Sequence, residues 1–191
     1  MNPELCIATP RLWLSVPDVD YAAAVADFQR RNRIHFAPWD PPRAEAFFSE
    51  PHWREQLALS RSDCEAERSL RLFLRPKADP QRVIGFVHFS NILRGPFLAC
   101  FLGYGLDQDC VGQGLMTEAL SESIDWVFSQ LALHRIMANY IPENHRSAAV
   151  LARLGFVIEG LAREYLYING AWRDHVLTAR INPKAPSPLP F

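Results

Sequence analysis

The chain has 191 residues, of which 49% are hydrophobic and 21% are charged, and its formal net charge at pH 7 is −1. This balance is typical of a globular domain and not of a disordered chain, and the near-neutral charge gives no electrostatic reason to expect general nucleic-acid binding. The four cysteines have no CxxC spacing, and we find neither a signal-peptide core nor an apolar run of about 18 residues, so we expect a cytoplasmic protein with reduced thiols and no membrane association.

Two helices are predicted in the N-terminal third of the chain. Residues 18–32 have helical spacing, with Asp18 or Asp20 as the candidate N-cap. A second helical pattern covers residues 42–61 and is expected to be interrupted at Pro51, because a proline inside a helix removes a hydrogen bond. The strands predicted around these helices are residues 12–16, 70–75, 82–91 and 96–106.

The second half of the chain alternates between helical and strand patterns. Residues 115–133 place their apolar side chains on one helical stripe, and residues 134–141 form the next predicted strand. Asn144 is expected to cap a helix that stops at Gly155. Two β-rich runs then meet at the dipeptide 169–170, an Asn-Gly pair that is a strong hairpin signal. This order predicts an α/β domain with a mixed sheet over residues 1–183, followed by a Pro-rich tail at 184–191.

A pair of glycines stands between the strand ending at residue 106 and the helix expected to begin near Leu115. Gly112 and Gly114 would leave the first amides of that helix open to a phosphate, but such a pair also simply shapes a tight turn. A P-loop is excluded because the only lysines are Lys77 and Lys184. The spacing alone therefore leaves a phosphate site and a plain turn as alternatives.

Several separate motifs resemble the GNAT superfamily of acetyl-CoA-dependent N-acetyltransferases, and among them the RimJ/RimL type, which acetylates protein N-termini. The motifs are GQGLMTEAL (112–120), HRIMANYIPENHRS (134–147), LARLGF (151–156) and NGAWRDHVL (169–177). This resemblance implies a GNAT-like mixed, mostly antiparallel central sheet flanked by helices, with a C-terminal β-hairpin. It also implies that acetyl-CoA is the cosubstrate.

The resemblance also implies which residues bind the cofactor. The backbone amides from Val111 to Thr117 would hold the pyrophosphate, although most relatives have Gln or Arg at the position of Val111. The strand end 104–106 would pair with the pantetheine arm like an added strand, and Asn144 would face the cofactor. The implied cofactor-binding residues are Tyr104, Gly105, Leu106, Val111, Gly112, Gln113, Gly114, Leu115, Met116, Thr117 and Asn144.

The catalytic residues follow less directly from the motifs. Many relatives have a tyrosine, the proton donor to the departing thiolate, where this chain has Leu151, so Ser147, one helical turn earlier, is the candidate hydrogen-bond donor. Glu164 is the candidate base, acting directly or through water. The alternatives are that Ser147 only supports the start of its helix and that Glu164 is a solvated strand charge. A metal site is not expected, because the histidines form no HExxH motif or Cys/His cluster.

The acceptor-binding candidates are Trp39, Tyr104 and Arg173. Trp39 and Tyr104 would line the acceptor side but could equally belong to the core, and Arg173 with Asp174 could equally form a surface ion pair.

Three functions are compatible with the sequence. The first is acetylation of the N-terminus of a protein, an Ala-initiated small-subunit ribosomal protein, by a monomer or homodimer that does not bind nucleic acid directly. The second is acetylation of a small-molecule amine, and the third is a non-catalytic acetyl-CoA-binding sensor or ribosome-assembly factor.

Overall fold

The structure is a computed structural model that describes residues 1–185, so the predicted tail lies outside the described residues from residue 186 onward. The strands are β1 (Cys6–Ala8), β2 (Leu12–Ser15), β3 (Leu70–Pro76), β4 (Gly85–Leu93), β5 (Ala99–Leu106), β6 (Arg135–Tyr140), β7 (Val157–Ile168) and β8 (Ala171–Ile181). The helices are α1 (Ala22–Arg31), α2 (Arg33–Phe36), α3 (Glu50–Glu65), α4 (Leu115–Gln130) and α5 (His145–Arg153). None of the described helices combines the length and apolarity needed to cross a bilayer.

All eight strands form one sheet in the order β1-β2-β3-β4-β5-β6-β8-β7. Every neighbouring pair is antiparallel except β5 and β6, which run parallel. The parallel pair is connected through α4, as expected of a crossover between parallel strands. The mixed, mostly antiparallel sheet and the C-terminal hairpin predicted from the sequence are confirmed.

The helices cover the two faces of the sheet and make two separate cores. Side chains of α4 pack with Leu70, Leu72 and Leu74 of β3 on one face. Side chains of α1 and α3 pack with Phe73 on the other face. Because successive side chains of a strand point to opposite faces, one apolar strand serves both cores. We call the second surface the α1/α3 face.

The N-terminal helices begin differently from the prediction. Helix α1 starts at Ala22 after a short 3-10 turn, and neither Asp18 nor Asp20 makes the predicted capping hydrogen bond. Pro51 does not interrupt a helix, because it lies in the first turn of α3, behind the N-cap residue Ser49. A proline is tolerated there because the first N–H groups of a helix have no intrahelical acceptor.

The C-terminal elements end where the sequence predicts. Gly155 has a φ of 79°, the left-handed conformation that stops α5. Asn169 and Gly170 have φ of 47° and 81°, as required at both central residues of a type I′ hairpin turn. The turn therefore sets the register of β7 against β8.

We expect Gly170→Ala to destabilise the protein by about 1 kcal/mol, because an L-residue is strained at positive φ. A Cβ at this position meets no atom within 4 Å, so the cost would come from the backbone alone. Thermal unfolding should show a fall of about 2–4 °C. Gly160→Ala is the matched control, since Gly160 lies on the same hairpin, also has open space around it and does not have a positive φ. Equal losses in both variants would contradict this explanation.

Candidate active site

Strands β5 and β6 pair only at their beginnings and then separate. Ala99–Phe101 align with Arg135–Met137, whereas β5 continues to Leu106 without β6, which is paired with β8 along its other edge over its whole length. The edge of β5 that faces β6 therefore has no strand partner after Phe101 among the described residues. Such an edge can bind an extended ligand as if it were an added strand.

A hydrogen bond between Tyr104 and Ser147 connects β5 to α5 beside this gap. The two hydroxyl oxygens lie 2.7 Å apart, and either can be the donor. Burial raises the pKa of Tyr104 to about 12, although the hydrogen bond with Ser147 opposes the shift. The phenol is therefore neutral at pH 7. Since it can donate to Ser147 Oγ, the serine hydroxyl is free to donate to a third group in the gap.

Asn144 holds the start of α5 in place. Its Oδ1 accepts the backbone N–H of Ser147 at 3.1 Å, which confirms the predicted N-cap. The cap places Ser147 in the first turn of α5, with its side chain towards Tyr104. Leu151 of α5 and Leu154, the residue after the helix, are buried and attach this end of the helix to the core.

The two glycines form an open amide loop immediately before α4. Gly112 and Gly114 have φ of 78° and 76°, and α4 begins at Leu115. None of the backbone N–H groups from Val111 to Thr117 has an acceptor among the described residues. Free amides and the positive end of a helix dipole make a site for an anion. The glycines therefore shape a turn, and the same turn exposes an anion-binding surface.

Arg11 lies beside this loop and was not found by sequence reasoning. Its Nη1 donates to the carbonyl oxygen of Gln113 at 3.0 Å, and Nη2 forms an ion pair with Glu118 at 2.7 Å. Half of the side chain is exposed, so the guanidinium can also contact a ligand on the loop. No local motif could have revealed this contact, since Arg11 precedes the loop by about a hundred residues.

The entry to the loop is fixed by a buried carboxylate. Asp107 is fully buried and receives hydrogen bonds from Arg31 Nε at 2.7 Å and Arg82 Nη2 at 3.4 Å. Burial alone would raise the pKa of Asp107, but the hydrogen bond and charge of Arg31 outweigh it and lower the pKa below its ordinary value. Asn32 adds a second link, because its Oδ1 accepts the N–H of Gln108 at 2.9 Å. The end of α1 thus positions the segment that leads into the amide loop.

The hairpin turn and the segment after α2, which contains the acceptor-binding candidate Trp39, lie in contact. The N–H of Asn169 donates to the carbonyl oxygen of Asp40 at 3.3 Å. Trp39 belongs to this segment, and 37% of its surface is exposed. It therefore does not belong to the core, which had been the alternative for this residue.

The remaining predicted residues lie on the hairpin. Arg173 forms an ion pair with Glu143 at 3.1 Å, next to the start of α5. Asp174 accepts the backbone N–H of Glu164 at 2.9 Å. Glu164 sits in an irregular part of β7 with a φ of 46°, and its exposed carboxylate has no ion-pair or hydrogen-bond partner among the described residues. The structure thus brings Tyr104, Ser147 and Asn144 together, while the Glu164 carboxylate makes no hydrogen bond with any of them among the described residues.

Metal ligands are not grouped within the described part of the chain. No three His, Cys, Asp or Glu side chains among residues 1–185 lie close enough together to hold an ion.

We expect Asp107→Asn to destabilise the protein by roughly 2 kcal/mol at pH 7, because Arg31 loses its buried charged partner and keeps only the exposed Asp27. The pKa of Asp107 is lower in the folded protein than in the unfolded chain, where it is about 3.9. The carboxylate therefore stabilises the fold fully at pH values above about 3.9, and this stabilisation is lost as the pH falls through the folded-state pKa. The difference between wild type and variant should therefore be constant above about pH 5 and shrink below about pH 4. Urea unfolding across this range measures it.

Asp125→Asn is the control for that experiment. Asp125 forms an exposed ion pair with Arg180 at 3.4 Å, so its loss should cost less than about 1 kcal/mol. An Asp107→Asn effect as small as this, or one that does not change with pH, would contradict the assigned role of the buried carboxylate.

Comparison with known proteins agrees with this geometry. The [ribosomal protein uS5]-alanine N-acetyltransferase of Escherichia coli K12 is 41% identical over 181 residues, which cover 95% of this chain and 93% of that protein. The crystal structure of ribosomal-protein-S5-alanine acetyltransferase from Vibrio fischeri has a TM-score of 0.91 at 41% identity, covering 95% of this chain and 99% of that one. Mycobacterium smegmatis RimJ in complex with CoA-disulfide has a TM-score of 0.88 at 28% identity, covering 98% and 93%.

The family is shown by a match over most of the chain. Residues 11–157 match the acetyltransferase (GNAT) domain family, whose members take their acetyl group from acetyl-CoA. The chain therefore belongs to the GNAT family of acetyltransferases.

Proposed function

We propose that this enzyme acetylates the N-terminal α-amino group of a protein in the cytoplasm, and that the acceptor is an Ala-initiated small-subunit ribosomal protein. The observation that carries the proposal is the similarity, over almost the full length of both chains, to enzymes named as acetyltransferases of ribosomal protein uS5 alanine. Acetyl passes directly from acetyl-CoA to the amine while both are bound.

The open features of the site support this mode of binding for acetyl-CoA. The pyrophosphate lies on the free amides from Val111 to Thr117, with Arg11 beside it. The pantetheine arm pairs with the unpartnered edge of β5 at Tyr104–Leu106, next to the Asn144 cap. The thioester then reaches the end of the gap where the hydroxyls of Tyr104 and Ser147 meet.

Deprotonation of the acceptor makes a small demand on the enzyme. A protein α-amino group has a pKa of about 7.7–8.0, so roughly a third of it is neutral near pH 7.5. A lysine side chain, with a pKa of about 10.4, is neutral about once in a thousand molecules. A weak base such as the exposed Glu164, acting through water, is sufficient for an N-terminal amine. This explains why the site needs no buried base.

The departing thiolate needs a hydrogen-bond donor, and Ser147 fills this role. Its hydroxyl accepts from the neutral Tyr104 and donates to the sulfur. Together the two hydroxyls form a short relay whose positions are fixed by β5 and by the Asn144 cap. Removal of such a donor costs about one to two powers of ten in rate.

Mass spectrometry of candidate acceptors distinguishes the three functions. Synthetic peptides with N-terminal alanine, and the same peptides with a blocked N-terminus, would be incubated with enzyme and acetyl-CoA. We expect acetylation only of the free α-amine, at a rate that increases up to about pH 8 as the amine loses its proton. Turnover restricted to free small amines would favour the second function, and saturable acetyl-CoA binding without turnover of any amine would favour the third.

We expect Ser147→Ala to lower kcat by about 10- to 100-fold with little change in KM for acetyl-CoA, because the lost contact is made to the developing thiolate. Tyr104→Phe should have a similar effect, and the double variant should be no slower than the slower single one, since the two hydroxyls act as a unit. Ser129→Ala on the exposed surface of α4 is the control. An unchanged kcat in Ser147→Ala would remove this serine from the mechanism.

A further inference from the structure

Three residues form a row across neighbouring strands on the α1/α3 face. Arg71 pairs with His88, and His88 pairs with Gly103. Directly opposed residues of antiparallel strands point to the same face, and strands lie about 4.8 Å apart. The Cα of Arg71 is therefore roughly 10 Å from that of Gly103, which immediately precedes Tyr104 of the candidate pantetheine strand.

The space above Gly103 is open. A Cβ built at Gly103 meets no atom within 4 Å. The next row of the sheet is closed, because a Cβ at Gly105 would lie 3.3 Å from the ring of Phe36 and 2.6 Å from that of Phe86. An acceptor chain can therefore cross the sheet at Gly103, beside α2, in the direction of Arg71.

The guanidinium of Arg71 is half-buried and has no counter-ion. Its polar contact is Nη2 to Nδ1 of His88 at 3.3 Å, and no described carboxylate makes an ion pair with it. The nearby Asp63 is already paired with Arg68 at 2.6 Å. Burial lowers the pKa of Arg71, the charge of Arg43 acts in the same direction, and Asp63 opposes them. A partly desolvated charge of this kind is normally compensated in folded proteins.

His88 is neutral, so it neither balances the positive charge of Arg71 nor competes with Arg71 for an anion. Burial, followed by the charge of Arg71, lowers the pKa of His88 to about 3, with Asp63 acting weakly in the other direction. Neutral Nδ1 is an acceptor, so it orients one arm of the guanidinium and leaves the other N–H groups for a ligand.

A surface cavity of about 340 Å³ lies in front of Arg71, between α3 and strands β3 and β4. Ser69, Ser90 and Asn91 contribute side-chain donors to its wall, and none of these side chains has a hydrogen-bond partner among the described residues. Asp63 also lines the cavity, but its carboxylate is paired with Arg68. A guanidinium beside hydroxyl and amide donors is suited to an oxyanion.

We propose that Arg71, with Ser69, Ser90 and Asn91, forms a subsite that binds the carboxylate of an acidic side chain in the acceptor protein. The inference rests on the proposed function, since the acceptor must be a polypeptide. An extended chain advances about 3.3 Å per residue, so about three residues span the roughly 10 Å between Gly103 and Arg71. We therefore expect the acidic side chain near position 4 of an acceptor whose amine reacts beside Tyr104. The subsite therefore makes the enzyme recognise an acidic residue of the acceptor in addition to its first residue.

The test uses Ala-initiated peptides in which one glutamate is moved through positions 2 to 6 and the other side chains are neutral. We expect KM to be about tenfold lower for glutamate at position 4 or a neighbouring position than for the all-neutral peptide, with kcat unchanged. Arg71→Gln should abolish this preference without changing KM for acetyl-CoA. Arg71→Lys should keep part of it, because it retains the charge but loses the planar fork.

Arg54→Gln is the control, because Arg54 lies on α3, is paired with Glu50 at 2.9 Å and does not line the cavity. It should keep the preference for glutamate. Thermal unfolding and acetyl-CoA binding of each variant show whether it is folded. If Arg71→Gln is misfolded, Ser90→Ala is used in its place. This variant removes one hydrogen-bond donor of the subsite and should weaken the preference for glutamate.

The outcomes separate the subsite from the proposed function. Acetylation of all peptides with the same KM would overturn the subsite and leave N-terminal acetylation in place. Failure to acetylate any peptide would overturn both. Inorganic phosphate should raise KM for the glutamate peptide in wild type and not in Arg71→Gln. If phosphate binding depends on Arg71 but the enzyme shows no preference among the peptides, the cavity binds a free anion. This result would contradict its role in binding the acceptor protein.

Discussion

The separation of β5 from β6 is the constraint on which the rest of the site depends. A parallel pair in the middle of a sheet normally hydrogen-bonds along its whole length, yet here only Ala99–Phe101 of β5 pair with β6, which keeps β8 on its other edge throughout. The free edge of β5 costs stability unless something binds to it. The gap also places the end of β5, the start of α5 and the amide loop before α4 around one space, which is why a cofactor and two hydroxyls can meet there.

Two polar anchors maintain this geometry from outside the gap. The Asn144 cap fixes the first turn of α5 and therefore Ser147. The buried Asp107, held by Arg31, fixes the chain as it leaves β5 and enters the amide loop. Because Arg31 belongs to α1 and Asp107 to the segment that leads into the amide loop, α1 and the amide loop are mechanically connected. The charged groups that catalysis does not use thus have a structural role.

Much of the fold could be predicted because its signals are local. The Asn-Gly turn at 169–170, the stop at Gly155 and the apolar stripe of α4 each depend on a few neighbouring residues, and the structure contains all three. The N-terminal predictions were less accurate. Pro51 suggests an interruption or a helix start equally well, and the capping residue of α3 decided between them. In the site, Asn144 was identified correctly as a cap, whereas the placement of Ser147 against Tyr104 required the packing of α5 on β5.

By itself, the sequence determined the elements, their order and the family, because periodicity, turn residues and short motifs are written along the chain. It also identified the glycine pair before α4 but could not decide between a turn and an anion site. Only the folded chain shows that the turn leaves its amides free, as a phosphate site requires. Only the tertiary structure brought Arg11 to the amide loop, Arg31 to Asp107, and Arg71 and His88 into one row with Gly103. These contacts join residues far apart in the chain, and no local pattern specifies them.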